Sequence, residues 1–116
     1  MMKLNIKETF TTELPADPNK ENTIRQVENS MFSFVKPKKT RAPKILHVSQ
    51  EMASELGISE EETTSSFFKN IFTGNEVYPN TKPFSMCYGG HQFGNWAGQL
   101  GDGRAINLFE VEHQNK

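Results

Sequence analysis

The sequence predicts an α+β fold in which short helices precede a β-hairpin that carries a glycine-rich loop. Two observations support this prediction. Residues 45–75 combine helix-capping residues with apolar residues at helical spacing, whereas residues 84–112 contain six of the eight glycines beside alternating apolar and polar residues. We therefore divide the 116 residues into an extended arm (1–20), a helical part (45–75) and a glycine-rich β-hairpin (84–112) of a single domain.

Secondary structure is least clearly predicted in the N-terminal third of the sequence. Residues 1–20 show no periodicity, and their two prolines prevent a helix from continuing, which favours the extended arm. Residues 21–31 place three apolar side chains, beginning with Ile24, at helical spacing and predict a short turn or helix. The segment Phe32–Val35 is strand-like but brief.

Two helices are predicted in the helical part. Ser49 is placed to cap the first helix and Gly57 to close it in the left-handed conformation. Ser59 and Glu62 have the spacing of a capping box and predict the start of the second helix. Its last turns carry an apolar face that we expect to be core and that consists of Phe67, Phe68, Ile71 and Phe72.

The predicted hairpin lies near the C-terminus. Residues 92–100 can be extended, Gly101-Asp102-Gly103 has a strong turn signal, and residues 104–112 alternate well enough for a second strand. A strand, a glycine-rich turn and a further strand are one way to build a flap over the phosphates of a nucleotide.

The turn also carries groups suited to an anion. Glycines at 101 and 103 allow backbone N–H groups to form an anion nest, and Arg104 adds a permanently charged planar group. An ordinary tight hairpin with a solvated arginine explains the spacing equally well. The segment is not a P-loop, because no Gly-Lys-Ser/Thr follows, and it lacks the helix that the dinucleotide-binding fingerprint requires.

Other candidate residues point to structure rather than chemistry. The three histidines, at 47, 91 and 113, lack metal-ligand spacing, and His91 is expected to be structural. We expect Cys87 to be a buried, unreactive thiol and Trp96 to pack within the protein. Asp102 is expected to hydrogen-bond to its own backbone in the turn.

Composition narrows the class of protein. The net charge of −1 gives no electrostatic reason for binding nucleic acid or an anionic membrane. No apolar run is long enough to span a membrane, no secretory signal is evident, and one cysteine favours a reducing compartment, so a cytoplasmic location is expected. The hydrophobic fraction of 34% is low for a self-sufficient core and is typical of a piece of a larger domain.

The order of residues along most of the chain also resembles that of a known protein family. The run Tyr88–Ala105 resembles the N-terminal hallmark segment of the selenoprotein O family, and the resemblance continues upstream over nearly the whole chain. The upstream matches are Glu13–Pro18, Arg25–Val27, Phe32–Pro37, Ala42–Leu46, Glu55–Gly57 and Phe72–Asn75.

The resemblance implies a function. Members of this family have a protein-kinase-like fold and transfer AMP from ATP, with Mg²⁺, to Ser, Thr or Tyr hydroxyls of protein substrates. By position, Gly101, Gly103 and Arg104 would bind ATP. A nucleotide-binding pseudokinase without transferase activity is the alternative.

The resemblance also implies that these residues are an N-terminal fragment of a longer enzyme. The catalytic base and the Mg²⁺ ligands of the family would lie beyond Lys116, so we expect no catalytic residue and no metal ligand here. The isolated fragment is expected to be inactive, and unpaired strand edges should make it unstable or prone to associate.

Overall fold

The computed structural model describes residues 2–21, 23, 25–101 and 103–116. These residues contain short helices and two small antiparallel sheets, which confirms the α+β class. The chain divides into two compact units. The helical unit comprises Met1–Lys7, Pro37–Thr81 and Phe109–Lys116, and the strand unit comprises Glu8–Lys36 and Lys82–Leu108. None of the described helices has the length and apolar character needed to cross a membrane.

The first predicted helix of the helical unit is confirmed. Helix α2 spans Gln50–Glu55, and the Ser49 hydroxyl accepts a hydrogen bond from the Met52 N–H at 3.2 Å. Gly57 follows with φ of +78°, the left-handed conformation that a glycine adopts without steric cost.

The second predicted helix is broken into two. Ser59 and Glu62 form the predicted capping box, but it opens only a 3₁₀ turn, Glu62–Thr64, and helix α3 begins separately at Ser66–Phe72. Ser65 between them is extended, and its hydroxyl caps α3 by accepting from the Phe68 N–H. Hydroxyl side chains in this stretch bond to backbone carbonyls, which competes with a continuous helix.

The core of the helical unit lies between its helices. Ala53 of α2, Ile58 and Ile71 are buried, as is Phe68 of α3, whereas Phe72 is 38% exposed. The expected apolar face is therefore only partly buried. The Tyr78 ring lies near those of Phe67 and Phe109, with centroids 5.9 and 5.3 Å apart.

The first element of the strand unit is a helix, although the sequence predicted an extended arm there. Helix α1, Thr9–Glu13, lies within residues 1–20 and ends before Pro15, so these residues are not extended throughout. Of the short turn or helix predicted for residues 21–31, the helix is not formed in the described part, because Gln26 forms a β-bridge with Leu100. Ile24, on which that prediction also depended, lies outside the described residues.

Strands β1, Phe32–Phe34, and β2, Phe84–Met86, pair in antiparallel register with Ser33 opposite Ser85. Strand β1 confirms the strand signal in Phe32–Val35. Side chains alternate between the two faces of a strand, so one face of this sheet is aromatic and the other carries the two serines. The Phe32 and Phe84 rings are buried with centroids 5.5 Å apart, and Phe10 of α1 stacks on Phe84 at 5.1 Å.

The second sheet is a hairpin of β3, Tyr88–Gln92, and β4, Asn95–Leu100. Its turn is Phe93-Gly94, with φ of +51° and +82°, and it therefore precedes the turn that the sequence predicted. Two successive positive φ values suit a two-residue hairpin turn, and here they begin at a phenylalanine instead of the usual Asn or Asp.

The prediction that residues 104–112 form the partner strand of the hairpin is wrong for the described residues. Asn107 instead bridges to Phe84 within the strand unit, and Val111 bridges to Ile6 within the helical unit. The Asp-Gly pair at 102–103 is a stronger sequence signal for a hairpin turn than Phe93-Gly94. In the structure, however, β4 pairs with β3, which precedes it, and not with the residues that follow.

Candidate functional site

Gly101 is buried at the end of β4 and packs tightly against its surroundings. Its N–H donates to the Arg25 carbonyl oxygen at 3.3 Å. A Cβ at this position would lie 2.6 Å from Val27 Cγ1 and 3.4 Å from both Arg25 Nη2 and Ser33 Oγ. Close approach to neighbouring atoms is therefore what requires glycine here.

Gly103 is held by the other serine of the same sheet face. The Ser85 hydroxyl lies within hydrogen-bond distance of the carbonyl oxygens of Gly103 and Ala105, at 2.8 and 3.1 Å. A Cβ on Gly103 would lie 2.8 Å from the Met86 carbonyl oxygen. The two glycines thus approach the serine face of β1 and β2 at neighbouring points, Gly101 over Ser33 and Gly103 over Ser85.

Arg104 follows directly and is exposed. It forms no hydrogen bond or ion pair with any residue in the described part of the chain. With Gly103, Ala105 and Asn107 it lines an open cavity of about 600 Å³, whose other wall is Met86, Cys87 and Tyr88. A permanently charged guanidinium at such an edge is available to an anionic ligand.

The predicted anion nest needs correction in one respect. The Gly101 N–H is occupied by the Arg25 carbonyl and does not point into the cavity as a free donor. Asp102, the middle residue of the predicted turn, lies outside the described residues. The electrostatic feature that the described residues offer a ligand is therefore the Arg104 side chain.

Cys87 is half-buried in the wall of this cavity. Burial raises the pKa of its thiol, outweighing the hydrogen bond with Gln99 that lowers it. A raised pKa keeps the thiol protonated at neutral pH, in agreement with the unreactive cysteine that the sequence predicted.

The remaining candidates lie away from this cavity. Trp96, expected to pack, is 62% exposed, although its ring contacts that of His91 at a centroid distance of 5.3 Å and covers Gly89. His113 packs against Gly57 in the helical unit. Within residues 2–21, 23, 25–101 and 103–116, no cluster of three His, Cys, Asp or Glu side chains could hold a metal ion.

A largely buried ion pair between Arg25 and Asp17, which the sequence did not predict, lies beneath Gly101. Arg25 Nε and Nη2 donate to Asp17 Oδ2 at 2.9 and 2.7 Å, and the two side chains are only 14% and 9% exposed. Arg25 also donates to the Glu21 and Thr23 carbonyls at 2.9 Å and to Ser33 Oγ at 3.1 Å. Both carboxylate oxygens of Asp17 thus accept hydrogen bonds, Oδ1 from the Asn19 N–H at 3.1 Å and Oδ2 from Arg25, and a buried ion pair requires such partners.

Hydrogen bonds govern the ionisation of Asp17. Burial alone raises the pKa of this carboxyl, but the Asn19 N–H, the Arg25 guanidinium and the Ser33 hydroxyl together lower it below its usual value. The carboxylate is therefore charged at neutral pH, and the pair with Arg25 is intact.

One sequence signal could have found this site. Phe32-Ser33-Phe34 and Phe84-Ser85-Met86 each place one serine between two large apolar residues. Two strands of this kind, once paired, produce a face of small residues on which a glycine-rich segment can lie. The Asp17–Arg25 pair gave no such signal, because its partners are eight positions apart in the sequence and no predicted element brings them together.

Comparison with known proteins identifies the family. The exposed Arg104 lies at the edge of an open cavity that Gly103 also lines. The sequence model of the family described as protein adenylyltransferase SelO matches residues 16–116, and the chain belongs to this family.

Several curated relatives are similar over almost the entire chain. The protein nucleotidyltransferase YdiU of Flavobacterium johnsoniae is 58% identical over 115 residues, which cover 99% of this chain and 22% of the relative. Proteins of the same name from Aromatoleum aromaticum and Rhodopirellula baltica are 47% and 49% identical over 111 and 108 residues. Those alignments cover 96% and 93% of this chain and 21% and 20% of the relatives. The chain thus spans about a fifth of the length of the relatives that it matches.

Proposed function

We propose that these residues are the ATP phosphate-binding part of a protein adenylyltransferase with a protein-kinase-like fold. In this proposal Gly101 and Gly103 shape the turn, and Arg104 binds a phosphate group of ATP. The observation that carries it is the exposed Arg104 guanidinium, unpaired among the described residues, at the edge of an open cavity. Membership of the adenylyltransferase family supports the same assignment.

The cavity has suitable dimensions for part of a nucleotide. Its volume of about 600 Å³ is within the range of roughly 300–1,000 Å³ that is usual for small-molecule sites. Most of its lining is apolar, and among the described residues that line it Arg104 alone is positively charged. One guanidinium fits one phosphate group, so we propose that the other positive charges that a triphosphate needs come from the rest of the longer protein.

The proposed reaction joins a hydroxyl oxygen of a Ser, Thr or Tyr side chain of a protein substrate to the α-phosphorus of ATP. The bond from that phosphorus to the bridging oxygen breaks, pyrophosphate leaves, and the hydroxyl proton passes to a base. Mg²⁺ would neutralise part of the polyphosphate charge, and its ligands and the base are proposed to lie beyond residue 116. The part of Arg104 is to bind and orient a phosphate group, which contributes through positioning and electrostatics.

Labelled ATP tests this proposal. The complete polypeptide that contains these residues is incubated with Mg²⁺ and ATP labelled at either the α- or the γ-phosphorus, and label on protein is measured. We expect transfer of the α-label, and we expect Arg104→Ala to reduce it roughly 10- to 100-fold because a charge-assisted contact with phosphate is lost.

The other outcomes have definite meanings. Transfer of the γ-label would make the protein a kinase. Saturable ATP binding without transfer of either label would support the pseudokinase instead. The isolated 116 residues should transfer neither label, and activity of this segment alone would contradict the proposed division of the machinery.

A further inference from the structure

The Asp17–Arg25 ion pair lies directly beneath the glycine-rich turn. The backbone of Arg25 accepts the Gly101 N–H at 3.3 Å, while its guanidinium Nη2 lies 3.4 Å from the point where a Cβ of Gly101 would be. Ser33 Oγ is at the same distance from that point and 3.1 Å from Nη2. The main chain of Arg25 thus hydrogen-bonds to Gly101, and its guanidinium borders the space that a Gly101 side chain would occupy.

Neighbouring residues strengthen this contact. Gln26 bridges to Leu100, and the Val27 N–H donates to the Gln99 carbonyl at 3.0 Å. The segment that carries Arg25 therefore pairs with the last residues of β4, immediately before the turn. Ser85, on the same sheet face as Ser33, holds the far side of the turn at Gly103.

We propose that Asp17, Arg25 and Ser33 are positioning residues that fix the backbone at Gly101 and thereby place Arg104 for a nucleotide phosphate. The inference rests on the proposed function of Arg104. Arg25 does not touch the ligand. Its six side-chain hydrogen bonds with described residues fix its own main chain and the serine face of the sheet, and these two features position Gly101.

The test compares two conservative variants with a stability control. Arg25→Lys keeps the charge but cannot reproduce the fork of hydrogen bonds, and Asp17→Asn keeps the shape but removes the charge. The control is Ile71→Val in the core of the helical unit, which lowers stability without touching the turn. Each is made in the complete polypeptide, and ATP dissociation constant, KM, kcat and thermal unfolding are measured.

If the pair positions the turn, Arg25→Lys and Asp17→Asn raise the dissociation constant and KM for ATP about tenfold or more, because small displacements of a binding group are costly. The change in kcat at saturating ATP should be smaller, since the interaction lost is one made in the ground state as well. Ile71→Val should lower the unfolding temperature and leave ATP affinity unchanged.

A purely structural role gives a different result. The variants would then unfold at lower temperature, as Ile71→Val does, while the folded protein kept the wild-type affinity for ATP, and the inference would be overturned. Should neither variant fold, Ser33→Ala decides, because it removes only the hydroxyl between Arg25 and Gly101. A raised ATP dissociation constant supports positioning, and an unchanged one overturns it.

Arg104→Ala separates this inference from the proposed function. If Arg104→Ala leaves ATP affinity unchanged, the assignment of Arg104 fails and the inference fails with it. If Arg104→Ala weakens ATP binding while the variants of Arg25, Asp17 and Ser33 do not, only the positioning inference fails.

Discussion

The glycine at the tip of the hairpin and the two glycines that follow the hairpin have different physical roles. A Cβ on Gly90 or Gly94 would meet no atom within 4 Å, and Gly94 is needed for its φ of +82°. A Cβ on Gly101 or Gly103 would lie within 3 Å of a neighbouring atom. Gly94 therefore serves backbone conformation at the tip of the hairpin, whereas Gly101 and Gly103 serve close packing, as does Gly89 against Trp96.

The surroundings of the two regions differ in the same way. The hairpin exposes Phe93 completely and most of Trp96. Gly101 and Gly103, by contrast, lie against the buried residues Ser33 and Ser85. Gly101 and Gly103 are therefore positioned by distant parts of the strand unit, whereas the exposed tip of the hairpin is shaped by its own sequence. Substitutions in the two regions should differ in their cost to stability.

The largest loss of stability is expected when the ion pair between Asp17 and Arg25 is broken. Arg25→Leu would leave the Asp17 carboxylate buried without its partner, which typically costs about 3–5 kcal/mol of unfolding free energy. Urea denaturation of the complete polypeptide measures the loss. The exposed pair of Lys116 and Glu55 is the matched control, and Lys116→Met should cost about 1 kcal/mol or less. Equal losses in the two variants would show that burial of the Arg25 pair has no energetic consequence.

A smaller loss of unfolding free energy is expected when a side chain is added at Gly101. Gly101→Ala places its Cβ 2.6 Å from Val27 Cγ1, an overpacking that costs about 1–3 kcal/mol. Gly90→Ala in the hairpin is the control, because it meets open space and should change stability by about 0.5 kcal/mol or less. Thermal unfolding and ATP affinity are measured for both. A tolerated Gly101→Ala would remove the distinction between the two sets of glycines.

The ion pair also predicts a dependence of stability on pH. The folded-state pKa of Asp17 is below its unfolded value, so its contribution is complete above the unfolded pKa of about 3.9. The contribution is lost as the pH falls from there through the folded pKa. Urea midpoints between neutral pH and pH 3 should therefore fall more steeply for the wild type than for Asp17→Asn. Parallel curves would mean that Asp17 does not titrate differently in the folded state.

The sequence predicted the parts of the structure that depend on local chemistry. The cap at Ser49, the capping box of Ser59 and Glu62 and the left-handed Gly57 all depend on residues within a few positions of each other, and all three are observed. The α+β class followed from the same local signals.

What the sequence did not predict depends on residues far apart in the chain. The Gln26–Leu100 bridge replaced the predicted helix, and the contact of Arg25 with Gly101 joins residues that no spacing rule connects. For a related reason, the sequence predicted the hairpin turn at residues 101–103, although the observed turn is at Phe93-Gly94. The Asp-Gly pair at 102–103 has the better turn chemistry, but which strand β4 pairs with is decided by register and packing, not by turn preference alone.

The smallest change in stability is expected from a substitution at the tip of the hairpin. Phe93 has φ of +51° and a fully exposed side chain, so it adopts a strained conformation without burying its ring. Phe93→Asn would give the Asn-Gly pair that this turn favours, and should stabilise the protein by about 1 kcal/mol or less. The unfolding temperature of the complete polypeptide measures the gain.

The opposite result at Phe93 would also be informative. A lower unfolding temperature for Phe93→Asn would mean that the ring is buried against another part of the longer protein, since relief of backbone strain alone cannot destabilise. The hairpin would then, like the turn, be positioned by distant residues. A matched Phe93→Tyr variant retains the aromatic ring and the backbone strain, so it should leave the unfolding temperature unchanged if the ring remains in solvent.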